Sequence, residues 1–309
     1  MISPIDPSGA MFLANLAQIQ NNMQQAQTEL SSGLKFQNAS DAPDQVSDIL
    51  SMRASISNNN QVQSNLNNVT TQVTTAQQAV SSAEQLVENA LTLATQGATG
   101  TATATSNAAL AQQVGAIQSE LISLANTQVG THYVFGGDDY NSQPYEADTV
   151  NPDTGGGVVQ LTVTQASRQI QDPLGNTFSV DLTAQQIFDD QNPDGTPAAD
   201  NVFTAVNQLR VALQNNDSAG IQSSITALTT ADDYLNQQLG FYGAAENRLQ
   251  AATSLSQQMN LTYQTALGSD QDADMAQAAT QLTESQTQEQ AALQAQSMEP
   301  RTSLFNFLG

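Results

Sequence analysis

Apolar residues recur every three and four positions across long polar stretches of this chain. Leu66, Val69, Val73, Ala76, Val80, Ala83, Val87, Ala90 and Ala94 step this way without a break. Such stepping places them on one narrow stripe of a helix, the seam of a coiled coil. No Gly or Pro occurs between Asp44 and Gln96 to interrupt the backbone ladder. One helix is therefore expected over Val46–Gln96, spanning on the order of 75 Å. A second stripe starts after Gly220 and runs through Ile221, Ile225, Leu228, Leu235, Leu239, Tyr242 and Leu249. Its spacing then shifts through Ala252, Leu255 and Met259, which reads as a stutter, and the helix is expected to end near Leu267. Matched lengths make the two helices natural partners. A shorter helix (Leu110, Val114, Ile117, Leu121, Leu124) can fold back on them, and a segment with Val202, Val206, Leu209 and Leu213 leads into the second one. A generic four-helix bundle of any function satisfies the same periodicity.

The outermost segments carry weaker stripes. Leu16, Ile19, Met23, Ala26 and Leu30 form one before Ser32-Gly33, and Met275, Ala279, Leu282 and Leu293 form a sparse one near the other end. Isolated short helices are marginal, so these ends are expected to order when partners cover them. Pairing with each other inside one chain is the alternative. Residues 131–197 have the opposite grammar, with seven of the 18 glycines and five of the nine prolines. Strands are expected at His132–Phe135, Val158–Val163 and Thr177–Asp181 within a set of five or six. Turns are expected at Gly136–Asp139, Asn151–Asp153 and Asn192–Gly195. The fold class is mainly α: a long antiparallel coiled-coil hairpin or bundle built from both termini, with a small β-rich inserted domain in the middle. The expected domains are 1–38 with 270–309 (terminal helices), 39–130 with 198–269 (helical rod) and 131–197 (β-rich insert).

Charge narrows the partners. Six Lys+Arg stand against 29 Asp+Glu, giving a formal net charge of −23, yet charged residues make up only 11% of the 309. Six scattered cations do not neutralise a phosphate track, which argues against a nucleic-acid partner. Tight binding to anionic membranes is disfavoured for the same reason, and no apolar run approaches the length of a membrane span. A surface poor in cations carries little net charge at low pH, which suits an acidic environment. Cysteine is absent, so disulfides, zinc knuckles and thiol nucleophiles are excluded. The first basic residue is Lys35, so a cleavable secretory signal is not expected.

Candidate chemistry is sparse. His132 is the single histidine and Lys35 the single lysine. The histidine has no nucleophile or oriented carboxylate beside it in the sequence, and no phosphate-cradling loop precedes the lysine. Asp270, Asp272 and Asp274 read as a helix N-terminus rather than a metal cluster. Asp190, Asn192, Asp194 and Gly195 copy the first half of an EF-hand loop, but the twelfth position is Asn201 rather than Glu, so a turn is the better reading. No catalytic residue, cofactor or metal site is expected.

Several motifs resemble one family. Ser31-Ser32-Gly33-Leu34-Lys35-Phe36-Gln37-Asn38-Ala39-Ser40-Asp41-Ala42-Pro43 is similar to the N-terminal signature of the flagellin superfamily. Gly33 can end the first helix, Ser40 or Asp41 can cap the second, and Pro43 fits its first turn. Asn247-Arg248-Leu249 resembles the family's Asn-Arg-Leu segment, and Asp272-Ala273-Asp274 its Asp-Ala-Asp box. Leu124-Ala125-Asn126, Tyr133-Val134-Phe135-Gly136-Gly137, Pro144-Tyr145 and the ending Ser303–Gly309 resemble the flagellin-like hook-associated protein of the hook–filament junction. The Pro-containing start, Ile2 to Pro7, departs from the family pattern. The resemblance implies a structural, non-enzymatic subunit of an extracellular appendage, exported unfolded through the flagellar type III apparatus without a cleaved signal. It implies head-to-tail assembly with copies of itself, contacts with another hook-associated protein and with hook and flagellin subunits, and an export chaperone. Leu16, Ile19, Met23, Ala26, Leu30, Met275, Ala279, Leu282 and Leu293 would then form the subunit interface, with Leu304, Phe305, Phe307 and Leu308 as end anchors or a chaperone contact. A filament flagellin and a coiled-coil fibre or adhesin are the alternatives.

Overall fold

A computed structural model of the chain describes residues 7–36, 43–163 and 167–298. Among them seven helices and six short strands follow in order. The helices are α1 (Pro7–Ser32), α2 (Pro43–Gly97), α3 (Ala104–Ala125), α4 (Ala184–Phe188), α5 (Val202–Gln214), α6 (Ser218–Gln271) and α7 (Met275–Met298). The strands are β1 (Gln128–Val129), β2 (His132–Tyr133), β3 (Tyr145–Ala147), β4 (Val158–Gln160), β5 (Gln169–Gln171) and β6 (Thr177–Ser179). The class is the expected one: long antiparallel helices with small strand pairs in the middle. Two compact units result, one from residues 59–258 and one from 1–58 with 259–309.

The 59–258 unit holds the core. Every predicted seam residue of α2, from Leu66 to Ala94, is buried. The facing seam of α6 runs Ile221, Ser224, Leu228, Ala231, Leu235, Tyr242, Ala245, Leu249, Ala252 and Ser256, all buried. Steps of three and four, with one step of seven from Leu235 to Tyr242 over half-buried Leu239, keep the same phase to Ser256, so the expected stutter does not occur. Leu255 lies half-buried beside the seam, and the small polar Ser256 takes the position the pattern assigned to an apolar residue. Ser256 faces Asn59, also a buried seam residue. Asn59 Nδ2 donates to the Ser256 carbonyl at 2.7 Å, and Ser256 Oγ donates to Asn59 Oδ1 at 3.0 Å. A satisfied polar pair in an otherwise apolar seam fixes register. α3 packs along α5, with Val114, Leu121, Val206, Leu209 and Leu213 inside.

The insert is less of a sheet than expected. Its six strands form three separate antiparallel pairs, β1–β2, β3–β4 and β5–β6. Each strand is only two or three residues long. The partners β1, β3 and β5 are too short and too polar to show period-two alternation. Two-stranded pairs are marginal alone, and these are held by packing on helices. Phe135, Phe188, Phe203 and Tyr145 are fully buried and touch in that order, with successive ring centroids 5.6, 5.8 and 5.2 Å apart. They belong to the same core cluster as the α2 and α6 seams. Short α4 was not expected; Thr183 and Gln186 cap it reciprocally. Gly157 adopts φ +63°, and a Cβ there would lie 2.8 Å from the Pro152 carbonyl.

Motif residues fasten the insert to α3. Asn126, the C-cap of α3, donates to the Tyr145 carbonyl at 2.8 Å and accepts from its amide at 3.1 Å. The Tyr145 hydroxyl donates to Asp189 Oδ2 at 3.0 Å, and burial pushes that phenol far above its ordinary range, with the Asp189 charge adding to the shift. Asn201 caps α5 and donates to Asp189 Oδ1. The Asp190–Gly195 segment is a turn, closed by Asn192 and Asp194 bonding to Thr196. His132 lies exposed on the surface, edge-on to Tyr140 at 4.6 Å.

Candidate functional site

The unit formed by both ends of the chain is where the two distant motifs meet. Gly33 takes φ +73°, a left-handed conformation that stops α1. Its amide donates to Glu29 O at 2.8 Å. The chain then runs antiparallel beside the α6–α7 connection: Leu34 bridges Asp272, Lys35 N donates to Gln271 O at 2.8 Å, and Ala273 N donates to Gly33 O at 2.9 Å. Lys35 Nζ donates to Ser269 O at 2.6 Å, and Arg53 Nη2 to Gln271 Oε1 at 2.9 Å. Asp274 Oδ1 accepts from the amides of Ala276 and Gln277, capping α7. These contacts give a physical reason for the Ser-Gly-x-Lys and Asp-Ala-Asp patterns: each side supplies backbone partners for the other. Ser40 and Asp41, expected to cap α2, lie outside the described residues.

α1 and α7 lie side by side, antiparallel, within the one chain. Gln20 Nε2 donates to Glu289 Oε1 at 3.2 Å. Of the expected interface, Ala26 is buried, and Leu16, Ile19, Met23 and Leu30 are half-buried. On α7 the buried residues are Ala278 and Ser285, with Leu282 half-buried. Met275, Ala279 and Leu293 lie off that face and are exposed. The α7 seam is thus alanine and serine, which is why the larger residues suggested a different stripe. Leu304, Phe305, Phe307 and Leu308 fall outside the described residues.

Apolar burial in this unit is thin. Among its described residues the buried apolar side chains are Ala26, Ile49 and Ala278. Large apolar side chains stand in solvent: Met11 (67% exposed), Leu13 (64%), Leu50 (59%) and Leu261 (64%), with Met275, Leu293 and Met298. Single exposed apolar residues are ordinary, but here several stand on helices that bury almost no apolar residue of their own. The sequence reading missed Met11, Leu13, Leu50 and Leu261 because they flank the stripes rather than extend them. The available signal was the doubling of apolar positions at Met11-Phe12-Leu13 and Ile49-Leu50 in otherwise polar helices. An open polar groove of about 900 Å³ also runs through this unit, with Gln24, Thr28, Lys35, Asp274 and Gln281 in its walls.

Residues 9–139 match the family described as the bacterial flagellin N-terminal helical region. That region of the chain is similar to flagellin. Solved structures extend the likeness to the fold outside that region. A protein described as a flagellar hook-associated protein from Vibrio parahaemolyticus aligns at TM-score 0.64 and 19% identity, over 75% of this chain and 100% of its own. FlgL of Bacillus cereus aligns at 0.56 and 16%, over 70% and 98%. The flagellar hook-associated protein-3 of Legionella pneumophila aligns at 0.59 and 12%, over 72% and 98%. At these identities the likeness is one of fold. No curated protein sequence matches the chain. Among the described residues no helix is long and apolar enough to cross a membrane. Glu84, Glu88 and Asp232 are described carboxylates whose oxygens all lie within 4.8 Å of one another.

Proposed function

We propose that this flagellin-like chain is a structural subunit of the bacterial flagellum that joins hook to filament. Copies add head-to-tail in a helical array through heterologous contacts. The observation that carries this reading is a fold shared with hook-associated proteins over 98–100% of their solved chains. The thin apolar packing of the terminal unit supports it: Leu13, Leu50, Leu261 and Leu293 gain burial only when another molecule covers them. In this reading α1 and α7 line the inside of the assembly, and the insert faces outward. Partners are further copies, a second hook-associated protein, hook and flagellin subunits, and an export chaperone that holds the apolar C-terminus. The chain works outside the cell, after export in an unfolded state through the flagellar type III apparatus.

A strain deleted for the chain tests this directly. It is expected to build hooks but shed unassembled flagellin into the medium, and re-expression of the chain should restore filaments. A deletion strain with normal filaments would contradict the junction role. The match to a flagellin helical region also favours a second reading, a filament flagellin. Purified chain mixed with filament seeds would then give long polymers by electron microscopy, whereas a junction subunit adds only a short cap.

A further inference from the structure

We propose that the 59–258 unit is an acid-stabilised fold: two carboxyl clusters set against α6, without an offsetting cation, strain it at neutral pH and relax as the medium acidifies. The first cluster crosses from α2 to α6. Oxygens of Glu84, Glu88 and Asp232 all lie within 4.8 Å of one another. Asp232 Oδ1 is buried and has no hydrogen-bond partner. Desolvation raises the Asp232 carboxyl above its ordinary value, and the charges of Glu84, Glu88 and Asp233 push it the same way. The second cluster joins the insert to the start of α5. Asp190 and Asp200 come within hydrogen-bonding reach with Asp189 beside them, and Asp200 Oδ1 is buried without a partner. Desolvation and then the Asp200 charge raise Asp190. Tyr234, two residues from Asp232 on α6, faces this pair, and its phenol is pushed up by burial and by both carboxylates. The two ion pairs among the described residues, Arg168–Asp181 and Arg210–Asp153, involve neither cluster.

Like charges held this close favour a proton between them. Folding therefore increases proton affinity at these sites. A carboxyl whose folded pKa is raised stabilises the fold fully below its unfolded value, and that stability is lost as pH rises through the folded value. Asp181 adds the same sign: burial pushes it from 3.8 up to about 6 against the lowering pull of Arg168, while Tyr242 packs beside it. For Asp181 the window lies between 3.8 and about 6, and the two clusters act in the same direction. Asp172 and Asp194 are shifted downward and work the other way, but both sit in surface turns, where screening weakens the effect.

Thermal unfolding of the full chain, followed by circular dichroism, tests the proposal. Acidifying from about pH 7.5 to about pH 5 is expected to raise Tm by about 3 °C or more. Glu88→Gln with Asp232→Asn should raise Tm at the higher pH and shrink the acid-induced gain; Asp190→Asn alone should do the same more weakly. Glu120 and Asp138 are exposed and outside both clusters, so Glu120→Gln with Asp138→Asn removes equal charge without relieving either. A Tm that falls on acidification would overturn the proposal. So would a control pair that flattens the pH dependence as much as the cluster pair, because total charge rather than the clusters would then be responsible.

Discussion

Asn59 and Ser256 show how much one buried pair decides. Both sit in the seam between α2 and α6, and each supplies what the other lacks. Asn59→Ala would strand Ser256 Oγ without its partner and is expected to destabilise the free chain by about 1–3 kcal/mol in urea unfolding. Replacing both, with Asn59→Leu and Ser256→Ala, should recover most of that loss, since an apolar pair leaves nothing unsatisfied. The sequence hid this pair because neither residue is apolar, and a periodicity read from apolar residues steps over them to Leu255. Gly157 was hidden differently. Its left-handed backbone and the nearby Pro152 carbonyl leave no room for a side chain. Gly157→Ala is expected to cost more than about 1 kcal/mol, read as a lowered Tm. A glycine in a Gly-rich loop gives no hint in sequence of which position carries that constraint.

The helices divide into those that finish their own core and those that do not. α2 from Leu66 to Ala94 and α6 from Ile221 to Ser256 bury continuous seams, and these were legible because large β-branched or leucine side chains mark most steps. α7 was legible as a helix but not in its orientation, since its inner face is Ala278 and Ser285. The strands were legible at β2, β4 and β6, where aromatic and β-branched residues cluster. Their partners β1, β3 and β5 were not, because they are only two or three residues long and too polar to alternate. Two leucines of α6 make the contrast measurable. Leu228 is fully buried and Leu261 is largely exposed. Leu228→Ala should cost the free chain about 2–5 kcal/mol, and Leu261→Ala should change it by no more than about 0.5 kcal/mol. In the reading proposed above, Leu261→Ala nevertheless reduces incorporation into the flagellum, scored by fluorescence labelling of assembled appendages.

At the scale of the molecule, stability is unevenly shared. The 59–258 unit contains nearly all the buried apolar side chains, whereas the terminal unit depends on backbone bridges around Leu34 and Asp272 and on the lightly packed α1–α7 pair. The terminal motifs were legible in sequence as a signature, and the structure supplies their mechanics. The exposed apolar residues of this unit were only partly legible: Met275 and Leu293 belong to the sequence stripe, whereas Met11, Leu50 and Leu261 lie beside the stripes. Removing residues 1–36 and 273–309 is expected to leave a soluble monomer by sedimentation, with the 59–258 core intact by circular dichroism. Amide hydrogen exchange on the full-length free chain, followed by mass spectrometry, tests the central claim most directly. Local opening costs least where few apolar contacts are buried. Peptides from α1 and α7 are therefore predicted to exchange far faster than peptides from the α2 and α6 seams. Equal, strong protection from α1 through α7 in the free chain would contradict the account.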